Sequence, residues 1–313
     1  MSQPSNLHID SYLTNYSQAY KNEAMIWERV MPVVTVGKRS DKYSILDKEN
    51  AYREADDHLG PNALPNEVGI TYSNDNYSVE SHGLGDWLAQ EDIENADAPI
   101  ALEVDVVENL SNTLDLKQER RVAALVFAAA SYPAGNKVQL SGTGQWSGAA
   151  DAPLSDVQTA VETCFMRANT LVFGIDAWLV FRRLPEIVEA VRAQAPQTGA
   201  VNSGFVTAPE VASLFEVANI LVGRARVNTA KPGQTASYAR VWGKHMSALH
   251  VGPNVGLKTI SFAKTFSTQT KTTFRDFDGR RGEKGSHYYK VAWNSDEKIT
   301  ASDVGYFIED AVA

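Results

Sequence analysis

The sequence predicts an α+β fold, and three observations carry that prediction. From Asp97 to about Ser131 one amphipathic pattern continues without a glycine, and its proline, Pro99, falls in the first turn. On either side, segments with the alternation of strands trade places with segments of helical spacing. Between two early strand runs lies a long polar stretch that offers little material for a core, and loops of that length in a domain are usually functional or disordered.

The first 36 residues place Tyr12, Tyr16, Tyr20, Ala24 and Trp27 at nearly helical spacing and stop at Met31-Pro32. Such a stripe fits either an arm on a neighbouring subunit or a helix docked on its own core. Residues 33–46 and 68–79 read as short strands, with Val34 and Val36, then Tyr43 and Ile45, and later Ile70, Tyr72, Tyr77 and Val79 in alternation. The connection DKENAYREADDHLGPNALPNE sets Asp47, Glu49, Glu54, Asp56, Asp57 and Glu67 against Lys48 and Arg53. A two-stranded ribbon is marginal alone in water, so this projecting hairpin is expected to rest on a partner subunit.

The helix that follows has clear start signals. Asp97 can cap it, Pro99 gives up an N–H that a first turn does not use, and Glu103 and Asp105 lie near the positive end of the dipole. Ile100, Val104, Val107, Leu110, Leu114, Val122 and Leu125 draw one apolar stripe, which ends at Tyr132-Pro133-Ala134-Gly135. A rod of this length is roughly 50 Å long, close to the diameter of a globule of this size, and should act as a spine.

Beyond it, 138–140 reads as a strand and 153–166 as a helix with Leu154, Val157, Val161 and Phe165 on one face. A buried strand over 170–173 leads to a helix over 175–193 that must accommodate Pro185. A small-residue loop over 197–207, a helix over 209–215 and a strand over 219–222 come next. Residues 238–251 and 258–266 read as further strands, followed by a charged turn over 275–285 and strands around 288–293 and 304–308.

Composition narrows the function classes. The chain has 313 residues, 43% of them hydrophobic, enough for a real core. No run approaches a membrane span, and the start MSQPSNLHID lacks the basic and apolar regions of a signal peptide, so synthesis in the cytoplasm is expected. Cys164 is the sole cysteine, which rules out an internal disulfide and a cysteine metal cluster. A net charge of −9, from 38 acidic and 29 basic residues, argues against a large nucleic-acid contact surface.

Chemical motifs are missing their essential residues. Gly37-Lys38-Arg39-Ser40 has the end of a phosphate loop, but Pro32 stands where the first glycine belongs and Arg39 where Ser or Thr belongs. Asp276, Asp278 and Gly279 hint at a calcium loop that Arg280 and Arg281 spoil. His8, His58, His82, His245, His250 and His287 show no metal-ligand pairing, and a strand would turn His245 and His250 to opposite faces. Neither G-x-S-x-G nor G-x-G-x-x-G occurs, Cys164 lies on an apolar helix face, and Ser141-Gly142-Thr143-Gly144 reads as a turn. No catalytic, cofactor-binding or metal residue is expected.

Several segments nevertheless resemble one family. Asn169-Thr170-Leu171-Val172-Phe173-Gly174 followed by Trp178, Leu184-Pro185 and Ile187 is similar to a stretch of tailed-phage major capsid proteins. LVGRARVNTA, GQ and VWGKHMSALHVGPNVGLKTISFAKTF resemble the same family, as do ENADAPIALEVDVVENLSNTLDLKQERRVAALV and SYPAGNKVQLSGTGQWS. The resemblance spans about residues 1–270 and implies the Hong Kong 97-type capsid fold. On that basis 1–37 is an N-terminal arm, 38–82 an extended loop, 83–167 with 255–313 a peripheral domain, and 168–254 an axial domain.

The same resemblance implies pentamers and hexamers of the chain forming an icosahedral shell around double-stranded DNA in a virion. Portal, scaffolding and cement or decoration proteins are the further partners of such shells, with no sequence-specific DNA contact, no membrane and no cofactor. The early spine leaves little room for a cleaved leading segment, so proteolytic maturation is not expected. Lys38, Lys42 and Lys48 are available for the isopeptide cross-links some members form. Two other readings stand beside it: an encapsulin-like nanocompartment shell, and a soluble enzyme with an unmarked carboxylate site.

Overall fold

The computed structural model describes residues 8–9, 25–46, 52–59, 64–65, 67–69, 71–96, 101–148, 152–194 and 204–313, with only the backbone of His8, Ile9 and Leu46. Strand β1 (His8–Ile9), one helical turn α1 (Trp27–Val30) and strand β2 (Val33–Thr35) come first. Strands β3 (Ser40–Leu46) and β4 (Tyr72–Ser78) form an antiparallel ribbon in which Ser40 faces Ser78 and Leu46 faces Tyr72. Strand β5 (Glu80–Ala89) and helix α2 (Gln90–Asn95) precede the spine helix α3 (Leu102–Val126). Then follow β6 (Lys137–Gln139), α4 (Pro153–Thr163), β7 (Thr170–Gly174), α5 (Ile175–Phe181), α6 (Pro185–Gln194), α7 (Ala208–Leu214) and β8 (Asn219–Gly223). The chain continues through β9 (Arg226–Asn228), β10 (Tyr238–Arg240), β11 (Met246–Leu249), β12 (Ala263–Asp278), β13 (Ser286–Ile299) and β14 (Gly305–Glu309).

Two larger sheets organise these elements. The first has the order β1-β12-β13-β5, with β2 running parallel to β12. Its centre is the long β12–β13 hairpin, from the Ala263–Ile299 pair to the Asp278–Ser286 pair. The second has the order β6-β14-β11-β7-β8, in which β7 and β8 are parallel and β11 is antiparallel to both β7 and β14.

The second sheet is buried on both faces. On one, Leu171, Phe173, Ala248 and Ile308 meet Val157 of α4, Phe181 of α5, Ile187 of α6 and Val211 of α7. On the other, Val172, Leu221, Leu249 and Phe307 meet Val122 and Val126 of the spine helix, with Met31, Trp242 and Phe262. Double burial is why TLVFG is buried at every position and carries Leu171, Val172 and Phe173 in a row instead of alternating.

The spine helix belongs to both cores. Its first half sets Val107, Leu110 and Leu114 against Tyr289, Val291 and Trp293 of the first sheet. Its last turns enter the second core. It has 25 residues, hence a length of about 38 Å at 1.5 Å per residue, shorter than the predicted rod. Ala101 has φ −103 and ψ 75 and is not helical, while Phe127 leaves helical geometry and 129–131 tightens into a 3₁₀ turn. Asp97, Pro99 and Ile100 lie outside the described residues, as do Tyr12, Tyr16, Tyr20 and Ala24.

Four other expectations change. The helix expected over 175–193 is two, because Pro185 lacks the N–H a continuous helix needs and instead starts α6. The strand expected over 238–251 is split: β10 pairs with β9, β11 joins the second sheet, and Gly243 turns between them at φ +56. Helix α4 stops at Thr163, which leaves Phe165 exposed instead of on its buried face. The segment expected to carry a charged turn from residue 275 is strand as far as Asp278. Near the C-terminus, β14 inserts between β6 and β11 in the second sheet.

Candidate subunit interface

The β3–β4 ribbon is anchored at its root and bare beyond it. Tyr43, Tyr77 and Val79 pack with Val34, Val36 and Phe266, and the Tyr77 ring stacks on Phe266 at 4.8 Å. Tyr43 donates its hydroxyl to Asp75 Oδ2 at 2.9 Å across the two strands. Farther out, Tyr52, Leu64, Val68 and Tyr72 are 64%, 92%, 66% and 56% exposed. All of 52–59 is exposed, with Tyr52 meeting the exposed Phe165 edge-on at 5.1 Å. Apolar side chains gathered on one exposed segment mark a candidate contact surface.

Behind this segment the body is tied by buried polar groups of the spine helix. Asp115 accepts from Lys271 Nζ at 2.8 Å, and Arg121 pairs with Glu297 at 3.1 Å, both joining the helix to the first sheet. Burial raises the Glu297 pKa, but the Arg121 guanidinium and hydrogen bonds from Ser295 and Gln118 outweigh it and hold the group below its ordinary value. Glu119 is fully buried and accepts from the backbone N–H of Ile26 at 3.1 Å and of Trp27 at 2.8 Å, and from the Trp242 indole N–H. Burial raises its pKa against those three donors, and Asp115 adds to the rise. One carboxylate thus ties the root of the N-terminal segment, the spine helix and the β10–β11 turn. Periodicity gives no sign of it, since Glu119 lies within a buried face that also carries Ser111, Asp115 and Gln118.

Residues with possible chemistry remain scattered. Gly37, Lys38 and Arg39 form an exposed connection between β2 and β3, with Lys38 paired to Asp41 at 3.0 Å. Lys42 is exposed on β3, and Lys48 lies outside the described residues. Asp276 and Asp278 accept from neighbouring backbone N–H groups, of Phe277 and Arg280. Residues 142–144 make a 3₁₀ turn in which Gly142 has φ +58.

His245 and His250 flank β11 instead of lying on it. His245 Nδ1 accepts from the Asp310 N–H at 2.9 Å, His250 Nδ1 lies 3.0 Å from the Arg167 carbonyl, and His287 Nε2 lies 2.9 Å from Gln90 Oε1. His82 is half-buried on β5, His58 is exposed, and of His8 only the backbone is described. Among the described residues no group of three His, Cys, Asp or Glu could hold a metal ion, and no helix is long and apolar enough to cross a membrane. Cys164 is buried, and burial pushes its thiol up to about 12, where it is not a thiolate at neutral pH.

Comparison with known proteins gives the chain its family. No protein-family model matches the chain. It is 34% identical over 306 residues to the major capsid protein of Pseudomonas phage JBD67, covering 97% of both chains. Its fold is similar to that of a phage-related protein of Bordetella bronchiseptica RB50, with a TM-score of 0.77, 23% identity and 98% of each chain covered. The capsid of cyanophage P-SCSP1u matches at a TM-score of 0.61 and 12% identity, over 99% of this chain and 92% of the other. With a relative of that identity along nearly its whole length, this chain belongs to the family of phage major capsid proteins, structural subunits with the Hong Kong 97-type fold and not enzymes.

Proposed function

We propose that copies of this chain assemble as pentamers and hexamers into an icosahedral shell that encloses the double-stranded DNA genome of a tailed phage. The observation that supports this reading is the exposed segment between β3 and β4. Its apolar side chains find little cover on their own subunit, and a neighbouring copy supplies it.

In this reading 1–37 is the arm, 38–82 the extended loop, 83–167 with 255–313 the peripheral domain, and 168–254 the axial domain. The chain is made and assembled in the host cytoplasm and ends in the virion, beside portal, scaffolding and cement or decoration proteins. DNA is enclosed without sequence-specific binding, and the net charge of −9 limits its adhesion to the wall. Electron microscopy of the purified chain tests the proposal: closed shells with five-fold and six-fold clusters are expected, and a strictly monomeric protein under all assembly conditions overturns it.

A further inference from the structure

Charge is segregated along this chain. From residue 54 to 116 there are fifteen Asp and Glu and no Lys or Arg; from 217 to 275 there are nine Lys and Arg and no Asp or Glu. Part of the two sets meets within one subunit, where Lys271 pairs with Asp115 and Arg275 with Glu103, each at 2.8 Å between β12 and the spine helix. The remainder stays at the surface. Glu54 and Asp57 stand on the exposed segment 52–59, while Arg224, Arg226 and Lys231 are exposed on the β8–β9 connection and the β9–β10 hairpin. None of these three cations has an ion-pair partner among the described residues.

The two arginines border a groove. Arg224 and Arg226 line an open cavity of about 350 Å³ together with Asn112, Thr113 and Leu116 of the spine helix and Met25. The β9–β10 register also sets Arg226 directly opposite Arg240, a like-charge pair that is unfavourable in an isolated subunit, and Arg240 leans toward Asp176 at 3.9 Å. A bound carboxylate relieves that repulsion.

We infer that this basic groove receives the acidic segment around Glu54 and Asp57 of a second copy of the chain. The inference rests on the capsid reading and gives it a specific contact. Carboxylates of the incoming loop meet Arg224 and Arg226, and its Leu59 lies against Leu116 and Met25. Donor and acceptor surfaces differ, so the contact is heterologous, and its repetition from copy to copy closes a ring when the rotation permits. The loop of each subunit is then held by its neighbour's groove instead of its own, and encounter is steered by charge and weakened by salt.

Assembly of the full chain, followed by light scattering and electron microscopy as sodium chloride is raised, tests this. Wild type is compared with Arg224→Glu/Arg226→Glu, and with that variant also carrying Glu54→Arg/Asp57→Arg. The first variant should lose assembly at low salt by about tenfold or more, and the second should regain it, while wild-type assembly slows as salt rises. All four positions are exposed, so melting of the unassembled chains should match wild type. Wild-type-like assembly of the first variant, or failure of the second to recover, overturns the inference and leaves the capsid reading standing. Normal assembly with a loss of DNA retention assigns the groove to phosphates and overturns it equally. A wild type that stays monomeric throughout overturns the inference together with the reading it rests on.

Discussion

Replacing Glu119 should detach the N-terminal segment from the body of the subunit. Its carboxylate accepts from the N–H groups of Ile26 and Trp27 and from the Trp242 indole, all in a buried setting. In Glu119→Ala those donors lose their acceptor, and each buried orphan costs about 1–3 kcal/mol. Removing a buried carboxylate offsets part of that sum, since burial disfavours its charge. A net loss of about 3–5 kcal/mol is expected, a large share of the roughly 5–15 kcal/mol that holds a domain together. Glu119→Gln keeps an oxygen that can accept from two of the donors, so its loss should be nearer 1–3 kcal/mol.

Urea unfolding of the unassembled chain, followed by tryptophan fluorescence, measures the loss, and hydrogen exchange at Ile26 and Trp27 localises it. The pH dependence gives a second readout. The folded-state pKa of Glu119 lies above its ordinary 4.5, so its contribution is complete below 4.5 and fades as pH rises through the raised value. Glu119→Gln should lack that part of the slope. A loss below about 1 kcal/mol in Glu119→Ala, or unchanged exchange at Ile26, refutes the reasoning.

Two further perturbations act on the body of the fold. Lys264 is buried with its amine donating to the Gly256 and Leu257 carbonyls, and burial pushes its pKa from 10.5 down to about 8. The unfolded chain therefore holds this proton more tightly, and stability should climb by up to about 3 kcal/mol between pH 8 and 10.5; thermal melts of Lys264→Met that keep the same climb contradict this. In Gly174→Ala the added methyl meets the Gly243 carbonyl and the backbone of Trp242, which cannot rotate away, so chemical denaturation should show a loss of about 1–3 kcal/mol, and a neutral result is the contrary outcome.

The parts of this fold legible in the sequence are those set by local rules. Absence of glycine marks the spine helix, alternation marks the β3–β4 ribbon, and the run Thr170–Gly174 marks a doubly buried strand. Boundaries are less legible where one residue changes the geometry. Pro185 restarts a helix instead of bending it, and Gly243 divides one apparent strand between two sheets. The middle of β12, Ser267 to Thr273, lacks apolar alternation; its strand signal is its threonines, which suit a pleated surface without announcing burial.

The interface is legible in part. Exposure of the loop follows from its composition, while the Glu119 tie depends on donors more than ninety residues away on both sides and has no local mark. The insertion of β14 between β6 and β11 is equally non-local.

That last strand also places the fold in time. The second sheet draws its members from residues 137 to 309, and β14, the last of them in chain order, occupies a position inside the sheet. Until it arrives, β6 has no neighbour in the sheet and β11 is paired on one side only, with β7. Pairings so distant in sequence form late and slowly. A chain cut short before Gly305 therefore cannot complete its second sheet, because the strand missing from it is an inner one.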